Sequence, residues 1–271
     1  YYATYPGTLR GTGALDRAIP CDPAHDFQPR TADLEAAAKG ARSLLVNSPN
    51  NPTGVVYDRA TWQAIAKTCI THDLWLISDE VYDTQVWQGE HISPRSLPDM
   101  QERTLVIGSM SKSHAMTGSR IGWICGPVPV IEYLTNFATH TTYGVPGFIQ
   151  DAAEFALSQG QELEDEVAAP FRRRRRIALD LLTQQNLVRA VPCSGAMYLM
   201  LDMRATGLSG EAFAHALLDA HQIAVMPGES FGQAAAGHIR VAMTVADDQF
   251  SEALAVLLSF AAEICENKRR F

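Results

Sequence analysis

The sequence has few of the features that mark specialised classes of protein. Its five cysteines are scattered and odd in number, and no two have the spacing of a metal-binding knuckle, so we interpret them as reduced packing thiols of a cytoplasmic protein without a metal site. Basic residues are outnumbered by acidic ones, 22 to 30, and the net charge of -8 argues against nucleic acid as the main partner.

Long apolar runs are missing as well. The longest, residues 253–262, is too short for a membrane span and includes Ser259, so it predicts a core helix and no membrane partner. The chain opens with YYATYPG rather than with a signal peptide or an initiator Met, and we expect the start of the protein to lie upstream. The remaining composition, 46% hydrophobic over 271 residues without repeats, fits a globular metabolic enzyme with one large core or two unequal ones.

Short apolar runs alternate with helical patterns in the first part of the chain. A helix is predicted over 59–71, with Asp58 as its N-cap and one apolar face formed by Ala60, Ile65, Ala66 and Cys69. The predicted strands are LLVN (44–47), LWLISDE (74–80), TLVIGS (104–109) and IGWICG (121–126). This alternation predicts an α/β sheet that helices cover on both faces, with ligands bound where the strands end.

After about residue 165 the pattern changes to that of a smaller α+β domain. A long polar helix begins near Glu162 and includes the arginines 172–176, which we interpret as a solvated, partly ion-paired helix face, with a specific anion site as the alternative. A final helix is predicted over 247–266. We therefore expect two domains, 1–165 and 166–271.

Two motifs place polar side chains directly after predicted strands. In NSPNNPTG, residues 47–54, Asn51 could direct an amide N–H at a ligand oxygen, although Asn, Pro and Gly also serve as plain turn residues. In ISDEVYD, residues 77–83, the strand ends in Asp79 and Glu80, with Tyr82 just beyond. A carboxylate at that point lies where α/β proteins bind ligands, and helix capping is the alternative.

Two further segments carry cationic side chains in unusual settings. In GSMSKSHAMTGSRIGW, residues 108–123, hydroxyls surround Lys112 and Arg120 follows, a combination that suits a phosphate group and a reactive amine. In HIRVAMT, residues 238–244, Arg240 interrupts an apolar strand. Buried arginines need an anion, so Arg240 either meets an internal carboxylate or binds an anionic substrate.

Taken in order, these four segments resemble the class I/II aminotransferases of fold type I, which use pyridoxal 5'-phosphate (PLP), and the match covers essentially the whole chain. The resemblance implies a large PLP-binding domain with a mostly parallel sheet flanked by helices, followed by the smaller domain, and a homodimer. It also implies an N-terminal stretch before Tyr1 that holds a phosphate turn, a tyrosine reaching the neighbour's cofactor and part of the dimer surface. SMSKSHAMTG and FRRRR most resemble segments of arginine–pyruvate transaminases.

The resemblance also implies roles for the residues that contact the cofactor ring. Lys112 corresponds to the lysine that forms the Schiff base and later moves the proton at the substrate's α-carbon. Asp79 corresponds to the aspartate that pairs with the protonated pyridine nitrogen. Asn51 and Tyr82 correspond to the residues that donate hydrogen bonds to the ring's phenolic oxygen. Tyr2 falls near the aromatic residue that stacks on the ring.

Anion binding is implied for three other positions. Ser109 and Arg120 correspond to phosphate ligands, although Ser119 stands where the family often has a bulky residue. Arg240 corresponds to the arginine that grips the substrate's α-carboxylate, with Asn51 beside it as a second substrate-binding residue.

The resemblance implies transamination between an L-amino acid and a 2-oxo acid by a ping-pong mechanism. Two alternatives remain open from the sequence. One is other chemistry on the same fold, such as that of a C–S lyase, because such enzymes share the lysine and the aspartate. The other is an inactive fragment that binds a partner through an exposed dimer surface. No residue pattern predicts the amino donor.

Overall fold

The computed structural model describes residues 1–269 of the chain, with side chains described as far as residue 267. The helices are α1 (Tyr5–Gly11), α2 (Thr31–Ala38), α3 (Arg59–Thr71), α4 (Met110–Ser113), α5 (Val128–Ala138), α6 (Gly147–Ser158), α7 (Gln161–Thr183), α8 (Gly210–His221) and α9 (Asp247–Arg269). The strands are β1 (Ser43–Asn47), β2 (Trp75–Asp79), β3 (Thr104–Ser109), β4 (Gly122–Cys125), β5 (Arg189–Ala190), β6 (Tyr198–Asp202), β7 (Met226–Pro227) and β8 (His238–Ala242). They form two four-stranded sheets. Within residues 1–269, no helix combines the length and the apolar character needed to cross a bilayer.

The chain divides into two compact units, each built around one sheet. The parallel-sheet unit comprises Pro29–Pro49 and Val56–Ala168. The antiparallel-sheet unit comprises Tyr1–Gln28, Asn50–Val55 and the chain from Ala169 onward. These units are discontinuous along the sequence, and a domain boundary between residues 165 and 166 stays a prediction.

In the parallel-sheet unit the strands lie in the order β1-β2-β3-β4. The first three are parallel, in a register that pairs Asn47 with Asp79 and Asp79 with Ile107. Because parallel strands end at the same edge of a sheet, the residues that follow β1, β2 and β3 all leave this unit's sheet at one edge. That edge is where the sequence predicts a ligand site.

Helix α3 connects β1 to β2 and begins where the sequence predicts. The Oδ1 atom of Asp58 accepts a hydrogen bond of 2.7 Å from the backbone N–H of Thr61, so Asp58 is the predicted N-cap. Most of the predicted apolar face is buried, but Ala60 is exposed. Ala60 lies in the first turn, and the fully buried indole of Trp62 occupies the core there instead.

Strand β4 is an edge strand of this sheet, and it is exposed. Strand β4 runs antiparallel to β3, and all four of its residues are exposed. Helix α5 has no buried residue in the part of the chain that the structure describes, and Tyr133, Phe148 and Phe155 are each more than 65% exposed. We call the surface of β4, α5 and α6 the open face. Within the described residues no helix covers β4, and an apolar surface of this extent is typical of an interface.

The antiparallel-sheet unit has the strand order β5-β6-β8-β7. Two arginines of the 172–176 block, Arg173 and Arg174, bind the carboxylate of Asp247 through their Nε atoms at 2.8 and 2.7 Å. A third, Arg175, donates to the carbonyl of Cys193. Part of the block is thus ion-paired, with the start of α9 as partner, because α7 and α9 meet at Asp247.

Glu229 fixes the start of β8 and the start of α8 together. Its Oε1 atom accepts hydrogen bonds from the backbone N–H groups of Gly210 (2.9 Å) and Gly237 (3.0 Å). Burial works against the charged form, but these backbone donors prevail and hold the pKa of Glu229 below its usual range. The carboxylate therefore stabilises the fold above the unfolded-state pKa, and this contribution is lost as the pH falls through the lower folded-state value.

We expect Glu229→Gln to lower the free energy of unfolding at pH 7 by about 1 kcal/mol, because a neutral acceptor replaces a charged one. Urea titrations of the two proteins would measure the difference. It should shrink as the pH is lowered from 7 towards 4. A difference that stays constant over that range would show that the charge of Glu229 contributes nothing.

Candidate active site

Asp79 is the last residue of β2 and is half-buried. Its Oδ1 atom accepts a hydrogen bond from the backbone N–H of Val81 at 3.3 Å, which turns the chain immediately after the strand. A turn follows, not a helix, so Asp79 has no helix to cap. Tyr82, in that turn, is only 3% exposed. The carboxylate of Asp79 and the phenol of Tyr82 therefore leave the sheet at its carboxyl edge.

The neighbouring carboxylate, Glu80, has a structural role. It is 4% exposed, and its Oε2 atom lies 2.8 Å from Nε2 of His91. Its Oε1 atom accepts from the hydroxyl of Ser93 at 3.0 Å. Burial raises the pKa of Asp83 in the same turn, while His91 opposes that rise and Glu80 adds to it. Of the two adjacent acids, Glu80 anchors the turn.

Lys112 lies in the short helix α4, directly after β3. The Oγ atom of Ser109 caps this helix by accepting from the backbone N–H of Ser111 at 3.0 Å. The hydroxyl of Ser113 donates to the carbonyl of Ser109 at 3.1 Å. Gln85, which is fully buried, donates from Nε2 to the carbonyl of Lys112 at 3.2 Å. The backbone of Lys112 is thus tied to the turn that follows Asp79.

Arg120 lies at the same end of the sheet. Strands β3 and β4 are antiparallel with Ser109 opposite Gly122, so a residue just before β4 lies near the end of β3. Arg120 is exposed and has a left-handed backbone conformation with φ of 53°, which is uncommon for an arginine and typical of functional loops. Its Nη1 atom donates to the carbonyl of Thr117 at 2.9 Å.

Arg240 lies in the middle of β8, opposite Met200 on β6 and Met226 on β7. Its Nη1 atom donates to Oδ1 of Asn51 at 2.9 Å. Its Nε atom is buried and has no hydrogen-bond partner in the part of the chain that the structure describes. Among residues 1–269 no carboxylate pairs with this guanidinium; instead its Cζ atom lies over two aromatic rings, those of Tyr198 and Phe231. Within residues 1–267, therefore, Arg240 has no internal carboxylate as its partner.

Asn51 and Tyr2 belong to the same unit as Arg240. Asn51 is 5% exposed, and its Oδ1 atom faces Arg240, so its Nδ2 group, the donor of the amide, lies on the other side. The turn around it needs Gly54, whose φ is 74° and whose added Cβ would lie 2.9 Å from the carbonyl of Tyr198. The half-buried ring of Tyr2 packs edge-on against Tyr5 at 5.6 Å.

The predicted residues thus fall into two groups. The parallel-sheet unit brings together Asp79, Tyr82, Ser109, Lys112 and Arg120 at one sheet edge, and the antiparallel-sheet unit brings together Asn51 and Arg240. Sequence analysis missed Gln85, Tyr198 and Phe231. Their contacts are made with residues distant in the sequence, so no local motif marks them.

Comparison with known proteins decides the family. The profile of the family described as aminotransferase class I and II matches residues 1–257. The chain belongs to this family. Among curated relatives of this aminotransferase, the arginine–pyruvate transaminase AruH of Pseudomonas aeruginosa is 41% identical over 264 residues, which cover 97% of the chain and 67% of the relative. The aspartate/prephenate aminotransferase of Thermus thermophilus is 34% identical over 258 residues, which cover 94% and 66%.

Solved structures confirm the predicted α/β fold class of this aminotransferase. A double mutant of Thermus thermophilus aspartate aminotransferase, 33% identical, has a TM-score of 0.87 and is matched over 97% of this chain and 67% of its own. The aromatic aminotransferase from Pyrococcus horikoshii OT3, 31% identical, has a TM-score of 0.90 with coverages of 98% and 71%. The chain therefore spans about two thirds of the length of the curated relatives it matches.

Proposed function

We propose that this aminotransferase exchanges an amino group between an L-amino acid and a 2-oxo acid in a ping-pong reaction, with PLP held by Lys112. The observation that carries the proposal is the common position of Asp79 and Lys112 at one sheet edge, linked through Gln85. A carboxylate and a primary amine fixed at neighbouring strand ends are the two groups that transamination with PLP requires.

The side chains at this edge fit PLP in chemical type. The hydroxyl of Ser109 and the guanidinium of Arg120 suit a phosphate, and the carboxylate of Asp79 suits a protonated pyridine nitrogen. The phenol of Tyr82 suits the ring's phenolic oxygen, and Asn51, which belongs to the antiparallel-sheet unit, is proposed as a second donor. When bound, PLP supplies a ring that accepts electrons and so stabilises negative charge at the substrate's α-carbon.

Each residue has a distinct task in the proposed reaction. Lys112 would hold the cofactor and would move the proton at the substrate's α-carbon, which needs its amine on a fixed backbone. Asp79 keeps a proton on the pyridine nitrogen because a negative charge beside that atom favours the protonated form. Tyr82 and Asn51 hold the phenolic oxygen by donating hydrogen bonds, and Tyr2 is proposed to cover a face of the ring.

Arg240 is proposed to bind the α-carboxylate of both substrates. A half-buried arginine whose buried Nε donor has no partner, and which has no carboxylate partner in the described residues, supports that role, because its charge would be stabilised by an anion. Guanidinium and carboxylate form two parallel hydrogen bonds, which fix the direction of the Cα–H bond. Asn51 holds the Nη1 side of the guanidinium in place.

Replacement of Arg240 by lysine is expected to leave the fold nearly unchanged. It should lower kcat/KM by an amount equivalent to roughly 2–4 kcal/mol of activation free energy, since lysine cannot form the two parallel hydrogen bonds. Both amino acids and 2-oxo acids should be affected, because both carry the carboxylate. Thermal melts and half-reaction kinetics with one substrate of each kind would measure this.

The matched control is Arg204→Lys. Arg204 belongs to the same unit and makes a two-point contact with a protein carboxylate, that of Asp202. This control should change the kinetics little. A large fall in melting temperature with unchanged kinetics in Arg240→Lys would assign Arg240 a structural role instead.

The amino donor is best identified with a panel of substrates. The names of relatives point to arginine, aspartate and aromatic amino acids as donors, and to pyruvate as one acceptor. We propose testing these donors with pyruvate and with 2-oxoglutarate, and analysing products with and without the acceptor. Transamination requires the acceptor. Products formed without it would favour lyase chemistry, and no cofactor absorbance would favour a fragment that only binds a partner.

We also propose that the protein functions as a cytoplasmic homodimer. The support for association is the open face, whose exposed aromatic side chains form a broad apolar surface. Size-exclusion chromatography with light scattering would measure the mass in solution. A monomer at micromolar concentration would contradict the homodimer for this chain.

A further inference from the structure

The positive charge of Arg240 is accommodated in an unusual way. Its Cζ atom lies 4.5 Å from the ring centroid of Tyr198 and 4.9 Å from that of Phe231, over the face of each ring. Among the side chains of residues 1–267, its one hydrogen-bond partner is the amide oxygen of Asn51. Desolvating a guanidinium is unfavourable, and an aromatic face within about 6 Å offsets part of that cost through its negative quadrupole.

Both rings are fixed by the fold. Tyr198 is 8% exposed and pairs with Ala242 in the β6–β8 ladder, so it is a diagonal neighbour of Arg240 on the same sheet face. Phe231 is 3% exposed and ends the short 3-10 helix Gly228–Phe231. The rings therefore lie beside the guanidinium whether or not a substrate is bound.

A ring face and a carboxylate stabilise a guanidinium differently. A carboxylate accepts hydrogen bonds in the plane of the guanidinium and so occupies its N–H donors. A ring face attracts the charge without accepting in that plane. An arginine that must bind a substrate carboxylate gains from the second arrangement, because no protein carboxylate competes for the donors. The unpartnered Nε atom of Arg240 is what this arrangement predicts.

We propose that Tyr198 and Phe231 are positioning residues that stabilise the charge of Arg240 in place of a protein carboxylate and so keep its N–H donors available for the substrate's carboxylate. The inference rests on the proposed role of Arg240. Neither ring needs to contact the substrate, so both act through the guanidinium.

The direct test measures the dissociation constant of pyruvate for the 271-residue protein by calorimetry. Tyr198→Leu and Phe231→Leu are each expected to weaken binding about tenfold, the scale of a desolvated cation–π contact. Tyr198→Phe keeps the ring face and should bind within about twofold of the parent. Phe213→Leu is the matched control, because it removes a fully buried ring of the same unit that packs on Phe260. It should lower the melting temperature without weakening pyruvate binding.

A second experiment separates ring electrostatics from packing. Phe231→3,4,5-trifluorophenylalanine, introduced at that position alone, keeps the ring's shape but removes most of its negative face. It should weaken pyruvate binding nearly as much as Phe231→Leu does. An unchanged dissociation constant in this variant would overturn the inference, because packing alone would then explain the leucine variants.

A third measurement needs no ligand. The Nε–H signal of Arg240, identified by its loss in Arg240→Lys, should be shifted upfield by the ring currents and protected from exchange. It should persist in Tyr198→Phe and lose part of the shift in each leucine variant, because one of the two rings remains. A signal at the position of exposed arginines in the parent protein would overturn the inference.

The binding experiments also separate this inference from the proposed function. If Arg240→Lys binds pyruvate as the parent does, the proposed function of Arg240 fails. If Arg240→Lys binds weakly but the ring variants bind normally, this inference fails alone.

Discussion

Lys112→Ala is expected to abolish transamination, with a fall in rate of about 10⁴-fold or more, because one amine both holds the cofactor and moves the proton. Alanine leaves no group that can do either. The absorbance of PLP bonded to the protein should disappear as well. Rate assays with the best amino donor, together with absorbance spectra after addition of PLP, would measure both effects.

Several features make this a sharp test. Lys112 is held through its backbone by α4 and by Gln85, so its removal should leave the surrounding turns in place. Lys112→Arg should not restore activity, since a guanidinium neither bonds to the cofactor in this way nor gives up its proton. Lys67→Ala, at an exposed position on α3, is the control and should retain full activity. Activity near the parent level in Lys112→Ala would remove Lys112 from the mechanism.

Asp79→Asn is expected to keep PLP bound but to slow proton removal by about 10²-fold, because losing a charged contact costs about 3 kcal/mol. The neutral amide cannot hold the proton on the pyridine nitrogen, so the ring accepts electrons poorly. Single-turnover kinetics with an amino acid deuterated at the α-carbon would show a larger isotope effect than in the parent, since proton removal becomes the slow step.

Asp99→Asn provides the control for this substitution. Asp99 is exposed and has a left-handed backbone conformation with φ of 60°, which asparagine also accommodates. It should turn over at the parent rate. An Asp79→Asn protein that does the same, with the same isotope effect, would show that the carboxylate of Asp79 does not stabilise the pyridinium.

Local sequence patterns predict β1, β2, β3 and α3 to within about a residue or two at their ends, because apolar runs and the Asp58 cap are local signals. They do not predict the direction of β4 or its exposure. A strand of IGWIC composition looks like a buried strand, and only the elements packed on the sheet determine which of its faces is covered. The exposure of Ala60 has the same origin, since Trp62 competes for the core.

Some of the site residues can likewise be predicted from local sequence, and others cannot. Asp79 and Lys112 are predictable because each follows a strand within a recognisable motif. Gln85 lies in the short segment TQVW, and nothing nearby in the sequence shows that it reaches the carbonyl of Lys112. Asn51 and Arg240 are 189 residues apart, so their hydrogen bond exists only in the folded protein. The roles assigned to all of these residues remain predictions for the experiments above.

The discontinuity of the two units limits how this protein can be divided or recombined. Along residues 1–269 the chain passes between the units at 28/29, 49/50, 55/56 and 168/169, so neither unit corresponds to one stretch of gene. A chimera that takes only residues 166–271 from a relative would combine a foreign Arg240 with a native Asn51. Its success would depend on two upstream segments of the same unit, Tyr1–Gln28 and Asn50–Val55, matching a sheet with which they did not evolve. Exchange of the C-terminal part among relatives is therefore constrained by segments encoded far upstream.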